Sequence, residues 1–195
     1  MSEDRGAAGG LRERKKTMTR EAIRSEALRM FEERGYHNTT VEQVAAVAEV
    51  SPSTFFRYFP NKAATLVADG YLEPILELFL QAPPEMTPIA ALRYAARQIF
   101  DAKPNAVWEL DGKRQQLLFA VPEAAHALYN FYILAIDSFS AALAQRLGRE
   151  ADDPQIRATA GAAVGVIIAA GHGQPMDPEA TLQALDFLDA GLPLT

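Results

Sequence analysis

Residues 40–62 read Thr-Val-Glu-Gln-Val-Ala-Ala-Val-Ala-Glu-Val-Ser-Pro-Ser-Thr-Phe-Phe-Arg-Tyr-Phe-Pro-Asn-Lys. Two helix starts lie in this stretch. Thr40 stands where a side-chain oxygen caps a helix from Val41 to about Ala48, and Ser51-Pro52 supplies a cap followed by proline at the first helical position, where the missing N–H costs nothing. The second helix runs from Pro52 to Tyr58 or Phe59 and ends at Pro60-Asn61. Two short helices separated only by Ala48 to Val50 have the spacing of a helix-turn-helix. Ser51, Pro52, Ser53 and Thr54 keep the first turn of the second helix small and polar, so that its backbone can approach a major groove. Phe55 and Phe59, four residues apart, read as anchors to the scaffold, whereas Phe56, Arg57 and Tyr58 are expected at the groove edge and the phosphates. Lys62, near the start of an expected long helix, adds a cation where a helix N-terminus favours an anion.

Working outward, a first helix is expected from about Thr19 to Arg34. Ile23, Ala27, Leu28 and Phe31 form its apolar stripe, and Gly35 stands at a left-handed cap. Val44, Ala45 and Val47 are the expected buried face of the next helix. From Arg5 to Arg24 there are seven basic residues against two acidic ones, whereas after Leu66 there are 8 basic and 16 acidic, within a net charge of −6. One end of the chain attracts a polyanion and the rest repels it. Residues 1–18, with a Gly-Ala patch at 6–10, read as a flexible basic arm bearing Arg12, Arg14, Lys15 and Lys16.

The run Thr40 to Ala45, followed by Val50 to Lys62, resembles the signature of the tetracycline-repressor (TetR) family of bacterial regulators, over roughly Arg20 to Leu66. The resemblance implies a DNA-binding domain, here 19–66, joined to a divergent helical domain, here 67–195. That second domain dimerises through its last two helices and usually accommodates a small-molecule inducer, and the twofold matches a palindromic double-stranded operator. Residues matching Thr40, Thr54, Tyr58 and Lys62 are implied mainly on phosphates, and those matching Pro52, Ser53, Phe56 and Arg57 near base edges. The Arg12 to Lys16 arm is similar to basic extensions that some members lay along the DNA. Two departures stand out. Phe56 occupies a position that is commonly Tyr, exchanging a phosphate hydrogen bond for contact with a thymine methyl, and Glu49 replaces a common turn glycine, which makes a positive φ less comfortable there.

Helical periodicity dominates the whole chain, which is expected to be all-α with about nine helices: an N-terminal helix-turn-helix domain and a C-terminal helical bundle. Pro83-Pro84, Thr87-Pro88, Pro104, Pro122, Asp153-Pro154 and Asp177-Pro178 punctuate that bundle. A helix from Pro122 to Leu147 has Asp137 as its only interior acid and is expected to be buried on most sides. Trp108, Phe119, Tyr129, Phe131, Tyr132 and Phe139 are candidates to line an apolar cavity, with Arg114, Gln115, His126 and Asn130 to orient a ligand; ordinary core packing is the competing reading. A cation facing such a pocket selects a carboxylate or phosphate. Ala158, Gly161, Ala162, Gly165 and Ala169 form a small-residue stripe, and Leu182, Leu185, Leu188 and Leu192 an apolar one; both suit a helix-pair dimer interface, with an intramolecular core as the alternative.

Several classes fall away. The chain contains no cysteine, which removes disulfides, zinc–thiolate sites and thiol nucleophiles. His37, His126 and His172 lack a near partner suited to metal binding, and there is neither a phosphate-cradling glycine loop nor a nucleophile elbow. No enzymatic activity, cofactor or metal is expected. The N-terminus is polar and then basic, and the most apolar run, residues 158–171, is shorter than the roughly 20 residues of a spanning helix. The expectation is a cytoplasmic, non-membrane repressor released from its operator by a small, largely hydrophobic ligand; the alternative is a ligand-independent DNA binder whose C-terminal domain only dimerises.

Overall fold

The computed structural model describes residues 3–67, 70–171 and 173–193, with side-chain surroundings from residue 14 onward. Among them the only regular elements are helices: α1 (Glu3–Arg34), α2 (Val41–Val47), α3 (Pro52–Tyr58), a 3₁₀ turn (Lys62–Leu66), α4 (Leu72–Gln81), α5 (Pro88–Asp101), α6 (Asn105–Ala120), α7 (Ala124–Leu147), α8 (Pro154–Gly171) and α9 (Pro178–Asp189). The chain divides into two compact units, Met1–Leu66 and Val67–Thr195.

In the first unit, α1 buries Ile23, Ala27, Leu28, Met30 and Phe31. It begins at Glu3 rather than near Thr19; Leu11 to Met18, mostly helix-favouring side chains without a proline, carry it upstream of Thr19. Thr19 accordingly donates to the Lys15 carbonyl at 2.9 Å, a mid-helix bond rather than a cap. The basic residues expected on a flexible arm therefore lie on helical backbone. Gly35, at φ +85°, ends the helix, its N–H returning to the Phe31 carbonyl at 2.9 Å.

α2 opens with a reciprocal capping box: Gln43 N–H donates to Thr40 Oγ1 at 3.2 Å and Thr40 N–H to Gln43 Oε1 at 3.0 Å. It closes in a Schellman motif, Val50 N–H reaching the Ala45 carbonyl at 2.9 Å and Glu49 N–H the Ala46 carbonyl at 3.3 Å. The motif places Glu49 at φ 54°. The turn thus keeps its left-handed residue without glycine. Val44 and Ala45 are buried, but Val47 is 43% exposed and lies outside the core. After α3, no long helix starts at Lys62; the chain takes a 3₁₀ turn, with Thr65 Oγ1 donating to the Lys62 carbonyl at 2.7 Å, and α4 begins only at Leu72.

The second unit has a core centred on Phe79, Ala91, Ala95, Phe139, Leu143, Ala160, Ala163 and Leu185, contributed by α4, α5, α7, α8 and α9. Arg146 of α7 closes the C-terminal end of α4, its guanidinium donating to the carbonyls of Phe79 at 3.2 Å, Ala82 at 3.0 Å, Pro83 and Met86. Orphan carbonyls at a helix end are thereby paired. Asp177 caps α9, accepting from Glu179 N–H at 2.9 Å and Ala180 N–H at 3.2 Å, and Asp153 Oδ1 accepts from Gln155 N–H at 2.8 Å at the start of α8.

Three expectations about this unit change. α7 is not buried on most sides: Tyr129, Ile133 and Leu134 are exposed, the first by 60%. Among the described residues α7, not residues 158–171, is the helix long and apolar enough to cross a membrane by length and composition, although its Phe139, Ala142 and Leu143 pack into the core. The C-terminal leucines divide, since Leu182 and Leu185 of α9 are fully buried within the chain and Leu192, beyond the helix, is exposed.

The left-handed Glu49 gives a stability test. A non-glycine residue there costs roughly 1–2 kcal/mol, and the extra freedom of glycine offsets roughly 0.5–1 of that. Glu49→Gly should stabilise the first unit by up to about 1 kcal/mol, read as a raised thermal midpoint; a lowered midpoint would show that the Glu49 side chain makes a compensating contact.

Candidate nucleic-acid interface and ligand cavity

α3 is two-faced. Phe55 and Phe59 are buried, while Phe56, only one residue from Phe55, is 51% exposed and Ser53 and Arg57 face solvent. The buried rings lie 5.8 Å apart, and the guanidinium groups of Arg20 and Arg24 sit over the Phe59 ring at 5.3 and 5.6 Å. α1 thus holds the far end of α3 through stacking as well as packing. At the near end Ser51 Oγ caps the helix by accepting from Thr54 N–H at 3.1 Å, donates to Thr54 Oγ1 at 3.0 Å and lies 2.8 Å from Ser53 Oγ. The first turn is a small hydroxyl network with Pro52 exposed beside it. The half-buried Tyr58 carries the Arg57 guanidinium over its ring at 5.1 Å.

Thr40, Arg14, Lys15 and Lys16 are exposed; the Arg12 side chain lies outside those described. Lys62 departs from expectation. Its ammonium donates to the carbonyls of Tyr36 at 2.7 Å and Thr39 at 2.9 Å and stands 4.1 Å from the Tyr36 ring centre. These bonds fasten the loop between α1 and α2.

In the second unit a cavity of about 170 Å³ lies among α6, α7, α8 and the segment after α8. Of the expected ligand-contacting residues, Arg114, Gln115, Phe119 and Tyr132 line it. Trp108 does not: it packs edge-on to Phe100 with ring centroids 5.6 Å apart and carries the Lys103 ammonium 3.5 Å over its ring. His126, Tyr129 and Asn130 are exposed and also absent from the lining, because they occupy the face of α7 turned away from the core. His172 lies outside the described residues.

Arg114 is 2% exposed. Its Nη2 and Nε donate to Asp111 Oδ1 at 3.0 and 3.3 Å, and the other carboxylate oxygen accepts from the Tyr71 hydroxyl and the Lys103 ammonium. Burial works to raise the Asp111 carboxyl's pKa, but the bonds from Lys103 and Tyr71 and the charges of Arg114 and Lys103 outweigh it and hold the group below the ordinary carboxylate range. Burial pushes Lys103 below the usual lysine range despite its bond to Asp111, and burial pushes the Tyr132 hydroxyl up. Asp111, Lys103 and Tyr71 were not singled out in the sequence. The three-residue interval between Asp111 and Arg114, which puts the two side chains on one helix face, is the signal that points to the first of them. Gln115 Oε1 accepts from the Met176 N–H and fastens the segment between α8 and α9 beside the cavity. Among the described residues no group of three metal-ligating side chains occurs.

Comparison with known proteins bears on both regions. The family profile described as bacterial regulatory proteins, tetR family, matches residues 23–68, and that of the MftR C-terminal domain matches residues 86–193. The HTH-type transcriptional regulator TcmR of Streptomyces glaucescens is 34% identical over 153 residues, 74% of this chain and 67% of TcmR. The HTH-type transcriptional regulator RutR of Escherichia coli K12 is 37% identical over 89 residues, 43% of this chain and 41% of RutR. Among solved structures, the Thermus thermophilus repressor FadR in complex with lauroyl-CoA superposes with a TM-score of 0.53 at 21% identity, covering 90% of this chain and 96% of that one. SmeT, the repressor of the Stenotrophomonas maltophilia multidrug efflux pump SmeDEF, gives 0.54 at 22% identity, covering 88% and 89%. These two likenesses show the same all-helical fold.

The Asp111 cluster gives a pH test. Because the folded-state pKa of Asp111 is depressed, its contribution to stability is complete above the ordinary carboxylate range near pH 4 and is lost as pH falls through the lower folded value. Asp111→Asn should lower the thermal midpoint at neutral pH, and the gap to the parent should narrow as the pH falls below the ordinary carboxylate range. A gap that stays constant across that range would show that the Asp111 charge is not what stabilises the cluster.

Proposed function

The chain belongs to the TetR family of bacterial transcriptional regulators, and from that premise we propose that it is a homodimeric repressor, released from a palindromic operator by a small, largely hydrophobic ligand. The observation that carries the reading is the division of α3 between two faces. An exposed phenyl ring such as Phe56 gains nothing from water, and beside Ser53 and Arg57 it has the chemistry to meet base edges, including a thymine methyl. Thr40, Thr54, Tyr58 and the helical cations Arg14, Lys15 and Lys16 are assigned to phosphates; Arg12 is assigned with them from its sequence position. Ser51 and Pro52 shape the approach of the first turn. Lys62 is assigned indirectly, as the fastening of the loop before α2.

Two observations support a dimer built through α8 and α9. Ala158, Ala162, Gly165 and Ala169 are exposed along one side of α8, and a Cβ added at Gly161 or Gly165 would meet open space. On α9, Phe187 is exposed and is assigned with Leu192 to the same surface, whereas Leu182 and Leu185 belong to the chain's own core. The mostly apolar cavity supports the inducer reading, since such pockets with a few placed polar groups are where small ligands bind. A protein acting on DNA in a bacterium works in the cytoplasm, and no catalytic step, cofactor or membrane is assigned to it.

Selection from a randomised duplex pool, followed by titration of the winner at two salt concentrations, tests the DNA reading. A palindrome bound by a dimer is expected; salt-sensitive binding without enrichment of any sequence would overturn it. Joint substitution of Arg14, Lys15 and Lys16 by Ala should weaken binding to all duplexes and flatten the salt slope, whereas Ser53→Ala or Arg57→Ala should change the preferred bases. Gly165→Arg should give monomers in sedimentation equilibrium and lose operator affinity; an unchanged dimer would move the interface off α8.

A further inference from the structure

We infer that Val67 and Tyr71 are the positioning residues through which an occupant of the cavity acts on the DNA-binding unit, Val67 as part of the cavity wall and Tyr71 through its bond to Asp111. The inference rests on the reading of this cavity as the inducer site and adds the route from that site to the DNA-binding unit.

The covalent joint sets the first condition. The first unit ends at Leu66 and the second begins at Val67. On the N-terminal side the joint is firmly held. Ala63, Thr65 and Leu66 of the 3₁₀ turn are buried, and the turn packs against α1. Lys62, at its start, is bonded to the carbonyls of Tyr36 and Thr39 in the loop ahead of α2. A displacement of Val67 is therefore passed to a turn that is fastened to the rest of the first unit.

The form of the connection sets the second. A long helix beginning at Lys62, as expected from the sequence, would be a rigid element able to carry a push applied anywhere along its length. In this chain the described residues between the 3₁₀ turn and α4, which are Val67, Gly70 and Tyr71, form a bend and a turn instead. A push on α4 is not delivered by such a joint as it is by a rod. What moves the joint is what touches Val67 and Tyr71.

The cavity governs both. Of its lining residues, Phe119 and Gln174 are exposed and mark the mouth, whereas Val67 and Arg114 are buried and mark the closed side. Val67 is 6% exposed and has no hydrogen-bonding group, so an occupant moves it by volume alone; a close-packed interior offers no void to absorb the shift. Arg114 is engaged by protein partners, Asp111 Oδ1 at 3.0 and 3.3 Å among them. It offers an occupant a surface rather than a bond, and what displaces it displaces Asp111. That carboxylate also accepts from the Tyr71 hydroxyl, and the Tyr71 carbonyl accepts from Ile75 N–H at 3.1 Å to open α4. Four peptide bonds separate two residues that the walls of one cavity hold in place.

Substitution can supply the occupant. Leu128→Trp on α7 and Ile168→Phe on α8 each add bulk to the cavity from a different wall, and thermal midpoints show which of the two folds normally. Two quantities are measured on the full chain. One is affinity for a labelled operator duplex taken from the randomised-pool selection. The other is the spin-label distance between Ala46→Cys and Gln145→Cys, both exposed positions in a chain without cysteine, with labelled protein diluted in unlabelled protein. Filling should lower operator affinity at least about fivefold and shift the distance distribution. With Val67→Ala, which makes room, or Tyr71→Phe, which cuts the tie to Asp111, the loss should shrink to less than about twofold and the shift should disappear. Filling that acts equally with and without these two substitutions would overturn the inference and leave the inducer reading standing. Filling that alters neither quantity would overturn both. A shift in distance that depends on Val67 and Tyr71, in a protein for which no operator can be selected, would uphold the route and overturn the repressor reading.

Discussion

A helix of seven residues does not hold itself together in water, since isolated helices below roughly 12–15 residues are marginal. α2 and α3 are both of that length, so the reading head exists only through what it buries. Phe55 and Phe59 carry most of this on α3, each contributing roughly 1.5–3 kcal/mol by leaving water. Arg20 and Arg24 of α1 lie over Phe59, and Phe31 meets Tyr36 edge-on at 5.0 Å beneath the Lys62 ammonium. Once those rings are fixed, the orientation of α3 has no freedom left. Ser53, Phe56 and Arg57 are exposed because a helix of this pitch cannot turn them inward while Phe55 and Phe59 are buried.

The second unit obeys the same rule with charge in place of aromatic area. A buried guanidinium must have acceptors, or the desolvation penalty is not met. Arg146 finds four backbone carbonyls at the C-terminal end of α4, and Arg114 finds Asp111, which also takes the hydroxyl of Tyr71, the residue that precedes α4. Both ends of α4 are therefore tied to side chains of other helices, one to the half-buried Arg146 and the other to Asp111, which Arg114 holds. Such contacts add little net stability, but they specify one arrangement, because any shift leaves a charge or a carbonyl unpaired in the interior.

How far the sequence was legible follows from the range of each signal. Caps are local, so Thr40, Ser51, Thr87 and Asp177 were readable from the neighbouring two or three residues, and the structure has each capping its helix. The two-faced α3 was readable because helical pitch fixes the relation of Phe55 to Phe59. The internal bonds of Lys62 were not legible because its partners, the carbonyls of Tyr36 and Thr39, stand more than twenty residues away and carry no side-chain mark. The cavity was half legible for a related reason. Arg114, Gln115, Phe119 and Tyr132 sit on the inner faces of α6 and α7, whereas His126, Tyr129 and Asn130 sit on the outer face of α7. That helix is apolar nearly all round, so its periodicity did not say which face turns inward.

The apolar surplus on α7 and α8 has a consequence of its own. Glycine within a helix costs roughly 0.5–1 kcal/mol relative to alanine. At Gly165 nothing inside this chain requires the absence of a Cβ, because the position opens onto space. Helix stability and solubility both favour a larger polar residue there. The proposed dimer accounts for that cost, since small residues let a second helix come close, and the flanking Ala158, Ala162 and Ala169 extend the smooth surface along one exposed side of the helix. A twofold pairing puts the same stripe on both partners, so each small residue serves twice in the contact. In the dimer proposed above, two reading heads would share one axis, which is the symmetry that a palindrome presents.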